Sequence, residues 1–208
     1  MSDQKPPAIF ISGSLGLDFL NTLATPVDEQ VDWIDSGDGL LAWLEQARLV
    51  PAKALKALIA QAMPGEFDGV AAQARNLREW FREFVKARSG RSLGADDLRE
   101  LEPLNLLLDR DHRFDQIVAD AEEGTSALQL KTQRRWRSPE SLLLPIGEEI
   151  SKFICNEDFK YVKACEGATC TILFVDRTRG RARRWCSMAI CGNRAKQAAH
   201  RNRQKVEQ

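Results

Sequence analysis

Four cysteines in two pairs constrain this chain more than any other feature. They are Cys165/Cys170 and Cys186/Cys191, with four residues inside each pair and 15 between the pairs. Paired thiols at short spacing suit a closed tetrahedral Zn²⁺ site, each pair supplying two ligands from a tight turn. Gly167 lies inside the first pair and Gly192 follows the second, where backbone amides approach sulfur without a Cβ in the way. With every ligand a cysteine, no position is left for water, so the metal is expected to be structural, one Zn²⁺ per chain. The N-terminus, MSDQKPPAIFISG, has neither a basic leader nor a sustained apolar run, so no signal peptide is expected. That favours a reducing cytoplasm, where clustered cysteines are metal ligands more often than disulfides. Disulfides or unrelated buried cysteines are the alternative. Cys155, the fifth cysteine, reads as a core residue.

Charge is the second constraint. The formal net charge is zero, from 30 Lys and Arg against 30 Asp and Glu. Between Arg177 and Lys205 there are ten Lys or Arg and no Asp or Glu, which leaves a net of −10 on the remainder. Four thiolates around Zn²⁺ carry a net −2, which Arg183, Arg184 and Arg194 are placed to offset. The closing segment, CGNRAKQAAHRNRQKVEQ, reads as a helix with Ala195, Ala199 and Val206 on an apolar seam. Arg194, Arg201 and Lys205 flank the seam on one side, and Lys196, His200 and Arg203 on the other. A helix with cationic flanks fits a DNA major groove or a phosphate backbone. Arg179, Arg181, Arg194, Lys196, Arg201 and Arg203 are the residues expected at nucleic acid. The competing reading is a protein-interaction or oligomerisation module, whose basic helix docks on its own acidic body or on that of a homodimer partner.

The rest of the chain reads as mainly helical. Composition, 43% hydrophobic and 29% charged, excludes wholesale disorder, and no apolar run approaches the roughly 20 residues of a membrane span. Leu15 to Leu23 form an apolar helix that carries Asp18 and Asn21. Residues 35–39 look like a loop capping a helix through Trp43, and Pro51 opens another. The strongest periodicity runs from Gly69 to Ala87, and further helices are predicted over Asp96–Leu108 and Glu140–Ile154. His112–Val118 and Ala127–Trp136 look like strands joined by a turn near Glu123-Gly124. Asp158–Ala164 reads as a short helix, and Thr171–Val175 with Arg183–Trp185 as a hairpin turned at Arg179-Gly180-Arg181. Trp33, Trp43, Trp80, Trp136 and Trp185 read as core.

No phosphate loop, dinucleotide fingerprint, HExxH or GxSxG motif occurs, so the chain is not expected to be an enzyme. Asp18 and Asn21 lie one turn apart in an apolar helix and are candidates for lining a ligand pocket. The alternative is that they cap neighbouring backbone groups or pair with an Arg. A hydrolase built on Asp18 is the remote enzymatic option, and His112 has no nucleophile beside it in sequence.

Two stretches carry a family resemblance. Arg184-Trp185-Cys186-Ser187-Met188 and Cys191-Gly192-Asn193-Arg194 resemble the signature of bacterial CGNR zinc-finger proteins. Phe174, Asp176, Arg177, Thr178 and Arg179 fall where that family carries its approach to the second cysteine pair. Gly13-Ser14-Leu15-Gly16-Leu17-Asp18-Phe19-Leu20-Asn21-Thr22 is similar to the opening of the ABATE domain that accompanies such fingers. The resemblance implies a stress-responsive transcription regulator, with a DNA-binding finger and an N-terminal part that senses a small molecule or mediates contacts. The expected fold is α-rich α+β, divided into residues 1–158 and 159–208. A mainly helical N-terminal domain with a small antiparallel β element precedes a treble-clef-like zinc finger ending in a basic helix.

Overall fold

The longest helix, α4 (Glu66–Arg88), organises the N-terminal domain. Val70, Ala71, Ala74, Phe81, Phe84 and Val85 recur at three- and four-residue spacing and are buried. Glu66 and Asp68 in its first turn and Lys86 and Arg88 in its last complement the helix dipole. In the computed structural model, which describes residues 5–26, 28–119 and 128–206, this helix extends a few residues beyond the predicted Gly69–Ala87 at its start.

Helix α1 (Leu15–Leu20) is short, and every residue after Leu15 is buried. It lies against α6 (Leu143–Asn156) so closely that a Cβ on Gly16 would sit 2.7 Å from the Glu149 carbonyl oxygen. Only a hydrogen fits there, which fixes glycine at that position. Helix α2 (Gly37–Gln46) is capped by Ser36, whose Oγ accepts from Gly39 N at 3.2 Å. It delivers Trp43 between the rings of Phe10 and Phe19. Leu55 and Leu58 of helix α3 (Ala52–Gln61) and Leu104 of α5 (Glu102–Leu108) join the same core cluster as Phe81, Phe153 and Phe159. Each such side chain contributes about 1.5–3 kcal/mol of burial. Among the described residues, no helix is long and apolar enough to cross a membrane.

Among the described residues, antiparallel strands come in three pairs: β1 (Leu23–Ala24) with β2 (Val31–Asp32), β3 (Arg113–Ala119) with β4 (Leu128–Arg134), and β5 (Val162–Ala164) with β6 (Leu173–Val175). The β3–β4 ribbon matches the predicted strands, while the turn at Glu123-Gly124 lies outside the described residues. Its base is tied down by Arg113 and Arg134, which bind Asp111 and Glu148. Ile117, Leu128 and Leu130 share one face and stay 66–74% exposed, although Leu128 and Leu130 alternate with polar neighbours as half-buried strands do.

Several local expectations are corrected. The helix predicted over Asp96–Leu108 is a 3-10 segment (Ala95–Leu101) followed by α5, because Pro103 enters at the junction and Asp97 turns back to accept from Gly94 N. The short helix predicted over Asp158–Ala164 is one 3-10 turn (Phe159–Tyr161) running into β5. The hairpin predicted between Thr171–Val175 and Arg183–Trp185 does not form; β6 pairs with β5 instead. Arg183 N is taken by the Asp176 carboxylate at 3.0 Å and the Arg184 carbonyl by Glu166 N at 2.9 Å, so those two groups are not left to pair with β6. Cys155 is exposed rather than core, since Ile150, Phe153 and Ile154 occupy the buried face of α6.

Candidate metal centre

The hairpin that does form carries the first cysteine pair at its end. Cys165 follows β5 and Cys170 precedes β6 by two residues, so the knuckle is the connection between paired strands. A π-helical turn (Met188–Gly192) holds Cys191 and leads directly into α7 (Asn193–Val206), with Cys186 just ahead of it. The four Sγ atoms lie within 4.8 Å of one another. Cys170 Sγ is 3.8 Å from Cys186 Sγ, which is 3.7 Å from Cys191 Sγ. Sulfurs bound tetrahedrally to Zn²⁺ at about 2.3 Å are about 3.8 Å apart, so the cage fits zinc. Cys165 Sγ also accepts from Cys186 N (3.2 Å) and Gly167 N (3.5 Å), as a thiolate ligand requires. A Cβ at Gly167 would lie 3.0 Å from Cys191 Sγ, which explains the glycine inside the first pair.

Without a cation, Cys170, Cys186 and Cys191 do not ionise alike. A hydrogen bond from Cys186 pulls the Cys170 thiol down to about 5, while that same contact and burial push Cys186 up. Burial, followed by contact with Cys165 and Cys170, pushes Cys191 up to about 12. One thiolate therefore suppresses its neighbours, and a divalent ion relieves the suppression. Cys165, Cys170, Cys186 and Cys191 are the ligand set of the zinc finger, and four sulfurs leave no open coordination position.

The shell around the metal belongs to both halves of the chain. Ala24 and Trp33 are buried with Ile172, Phe174 and the cysteines, and Ile9, Ile11 and Val31 pack on the same cluster. The N-terminal segment crosses the finger: Val175 N donates to Ser12 O at 2.9 Å, and Arg183 Nη2 to Ile11 O at 3.1 Å. Of the three arginines expected to balance the thiolates, Arg183 is the one at the cage. It donates to the Cys186 and Trp185 carbonyls, with its guanidinium 4.1 Å from the Phe174 ring centroid. Arg184 pairs with Glu166, and Arg194 with Asp28. Trp185 and Trp33, both read as core residues from sequence, pack on the cysteine cluster.

Asp176 is a hub that sequence reasoning places only within a family pattern. Its buried carboxylate accepts from Lys163 Nζ (2.8 Å), Thr178 Oγ1 (2.6 Å), Thr178 N (3.0 Å) and Arg183 N (3.0 Å). Burial raises its pKa, but Lys163 and the donors at Thr178 and Arg183 outweigh that and hold it well below the usual carboxylate range. The Asp-x-Thr spacing is the signal that could have found it, since aspartate commonly caps a backbone N–H two residues on.

Asp18 and Asn21, the candidate pocket residues, make backbone bonds. Asp18 Oδ1 accepts from Ile11 N (3.1 Å) and Ser12 N (3.0 Å). Burial raises the Asp18 pKa, against the opposing pull of the donors at Ser12 and Ile11. Asn21 brackets the Leu173 peptide, donating to its carbonyl at 2.9 Å and accepting from its N–H at 3.0 Å. It thus ties α1 to β6 as another strand would. Replacing Asn21 by alanine is expected to cost roughly 2 kcal/mol, by leaving both Leu173 groups unpaired. Denaturant unfolding of the zinc-loaded chain checks this, and an unchanged midpoint would rule out the bracket as a stabilising link.

The expected nucleic-acid residues fall into distinct environments. Arg181 donates to the Asp176 carbonyl and covers the Tyr161 ring at 3.8 Å, and Arg194 is held by Asp28. Arg179, Lys196 and Arg201 are exposed and make no ion pair among the described residues. Arg203 lies on α7 with its side chain outside the described part. The predicted seam shifts: Ala195 and Ala198 are the half-buried alanines of α7, while Ala199 is exposed.

Comparison with curated proteins finds no match. A CGNR zinc-finger model matches residues 161–204, which contain all four ligands. A second model matches residues 13–157, more than half of the chain, and spans the helical domain. The chain belongs to the ABATE family, described as "Putative stress-induced transcription regulator", and carries that domain ahead of its CGNR zinc finger.

Proposed function

We propose that the chain is a DNA-binding transcriptional regulator, with zinc holding α7 in place and the N-terminal domain acting as its sensing or contact part. The observation that carries this reading is the cation set left free by the fold. Arg179, Lys196 and Arg201 are exposed and unpaired among the described residues, and the cage fixes where α7 starts. The family description supports the same class of function. A reducing cytoplasm suits four thiols arranged to bind metal. The reading is non-catalytic: Asp18 and Asn21 serve the backbone, and four sulfur ligands exclude a metal-bound water.

Zinc-loaded protein is expected to bind duplex DNA with affinity that falls steeply with salt. About three or four phosphate contacts correspond to a log–log slope near −3 to −4. A double substitution, Lys196→Ala with Arg201→Ala, should flatten that slope by about two and weaken binding on all sequences alike. Fluorescence anisotropy across a KCl series reads both quantities. Absence of binding at low salt by zinc-loaded protein would instead assign the basic helix to protein–protein contacts.

A further inference from the structure

The β1–β2 connection reaches from the ABATE domain onto the finger. Thr25 N donates to Thr171 Oγ1 at 2.8 Å, and the Pro26 carbonyl lies 3.9 Å from Cys191 Sγ. Asp28 accepts from Thr169 Oγ1 at 3.3 Å and from Arg194 Nη2 at 2.9 and 3.1 Å. Asp28 stands in a groove of about 550 Å³ between the first knuckle and α7. Arg194, Gln197 and Arg201 project along the helical wall of that groove, and Glu166 to Cys170 form the other wall. Arg194 and Arg201 are two helical turns apart, about 10.5 Å along the axis. Arg201 makes no ion pair among the described residues, whereas Arg194 already holds an anion, the Asp28 carboxylate.

That anion is exchangeable. The side chains are 43% exposed at Arg194 and 70% at Asp28, and ion pairs this open contribute little and are screened by salt. A guanidinium grips carboxylate and phosphate with the same fork of donors. We propose that this groove seats a DNA phosphate backbone, and that Asp28 occupies the phosphate position at Arg194 in the free protein. Binding then transfers Arg194 from the carboxylate to a phosphate, so the ABATE domain acts as a brake on the finger. The inference rests on the DNA-binding reading and adds to it the binding face and its competitor.

Four zinc-loaded full-length proteins test it against one fluorescein-labelled duplex at low salt: wild type, D28N, E29Q and D28N/R194A. Glu29 is exposed and unpaired among the described residues, so E29Q removes the same charge without touching Arg194. D28N should bind roughly two- to fivefold tighter than wild type, the range that an exposed ion pair corresponds to. E29Q should match wild type, and D28N/R194A should lose the gain. Equal or weaker binding by D28N, an equal gain in E29Q, or a gain that survives loss of Arg194 would overturn the brake while leaving DNA binding intact. Failure of every zinc-loaded protein to bind would overturn the DNA-binding reading and the brake together. Metal content measured on each sample confirms that the finger is formed.

Discussion

Replacing Cys186 by serine is expected to strip zinc from the protein and unfold the finger together with the N-terminal segment that crosses it. Cys186 is the contact hub of the cage, 3.8 Å from Cys170 Sγ and 3.7 Å from Cys191 Sγ, and it is fully buried. A serine hydroxyl stays protonated and offers Zn²⁺ a poor ligand. Structural zinc in finger peptides is bound with roughly 10–16 kcal/mol, comparable to or larger than the net stability of a whole domain. Losing one of four thiolates therefore removes the main interaction that holds residues 165–192 together. Because Ile9, Ile11 and Trp33 pack on the same cluster, proteases should gain access at residues 8–12 as well as in the finger. The packing around Phe81, Phe153 and Phe159 lies in a separate cluster, so most helical circular dichroism should persist. Zinc measured by mass spectrometry at one per chain in the variant, or an unchanged cleavage pattern, would refute the assignment. Acid should mimic the substitution in wild type, since protons compete with zinc for every thiolate and affinity falls as pH drops.

Asp176→Asn is expected to destabilise the finger by about 2–4 kcal/mol at neutral pH, through loss of a buried charge that leaves Lys163 facing an amide. The carboxylate's pKa is depressed in the folded state, so its stabilisation is fully present above the ordinary value near 3.9. It is lost as pH falls through that value toward the folded one. Thermal melts of wild type and variant should therefore differ at pH 7 and converge in acid. Equal melting temperatures at pH 7 would remove Asp176 from the stabilising framework.

The cage is legible in the sequence because ligand spacing is local: four residues inside each pair and Gly167 at the close approach to Cys191 describe the knuckles without knowledge of the fold, whereas Gly192 lies against the Met188 side chain rather than a sulfur. Helix α4 is legible for a similar reason, since its apolar period is repeated over six turns. The partner of β6 is not. Three-residue strands carry too little alternation to announce their pairing, and the choice between Val162–Ala164 and Arg183–Trp185 is decided by Asp176 capturing Arg183 N. Asn21 reads with its apolar helix, but its partner, the Leu173 peptide, is 152 residues away and backbone groups leave no mark in sequence. The ten cations between Arg177 and Lys205 suggest one continuous basic face. Carboxylates at Asp28, Glu157 and Glu166 take three of them, and nothing in the sequence around Asp28 announces that it reaches Arg194.

The bond from Val175 N to Ser12 O joins an early part of the chain to a late one. A ribosome adding about 5–20 residues per second takes roughly 10–30 seconds to travel between them. During that interval Ile9 and Ile11 have emerged, while the cysteines that complete their packing have not yet been made. The segment must wait, solvated or guarded by a chaperone, until the second cysteine pair leaves the exit tunnel. Metal capture thus follows the synthesis of residues 9–12, and zinc supply at that moment decides whether they find their place.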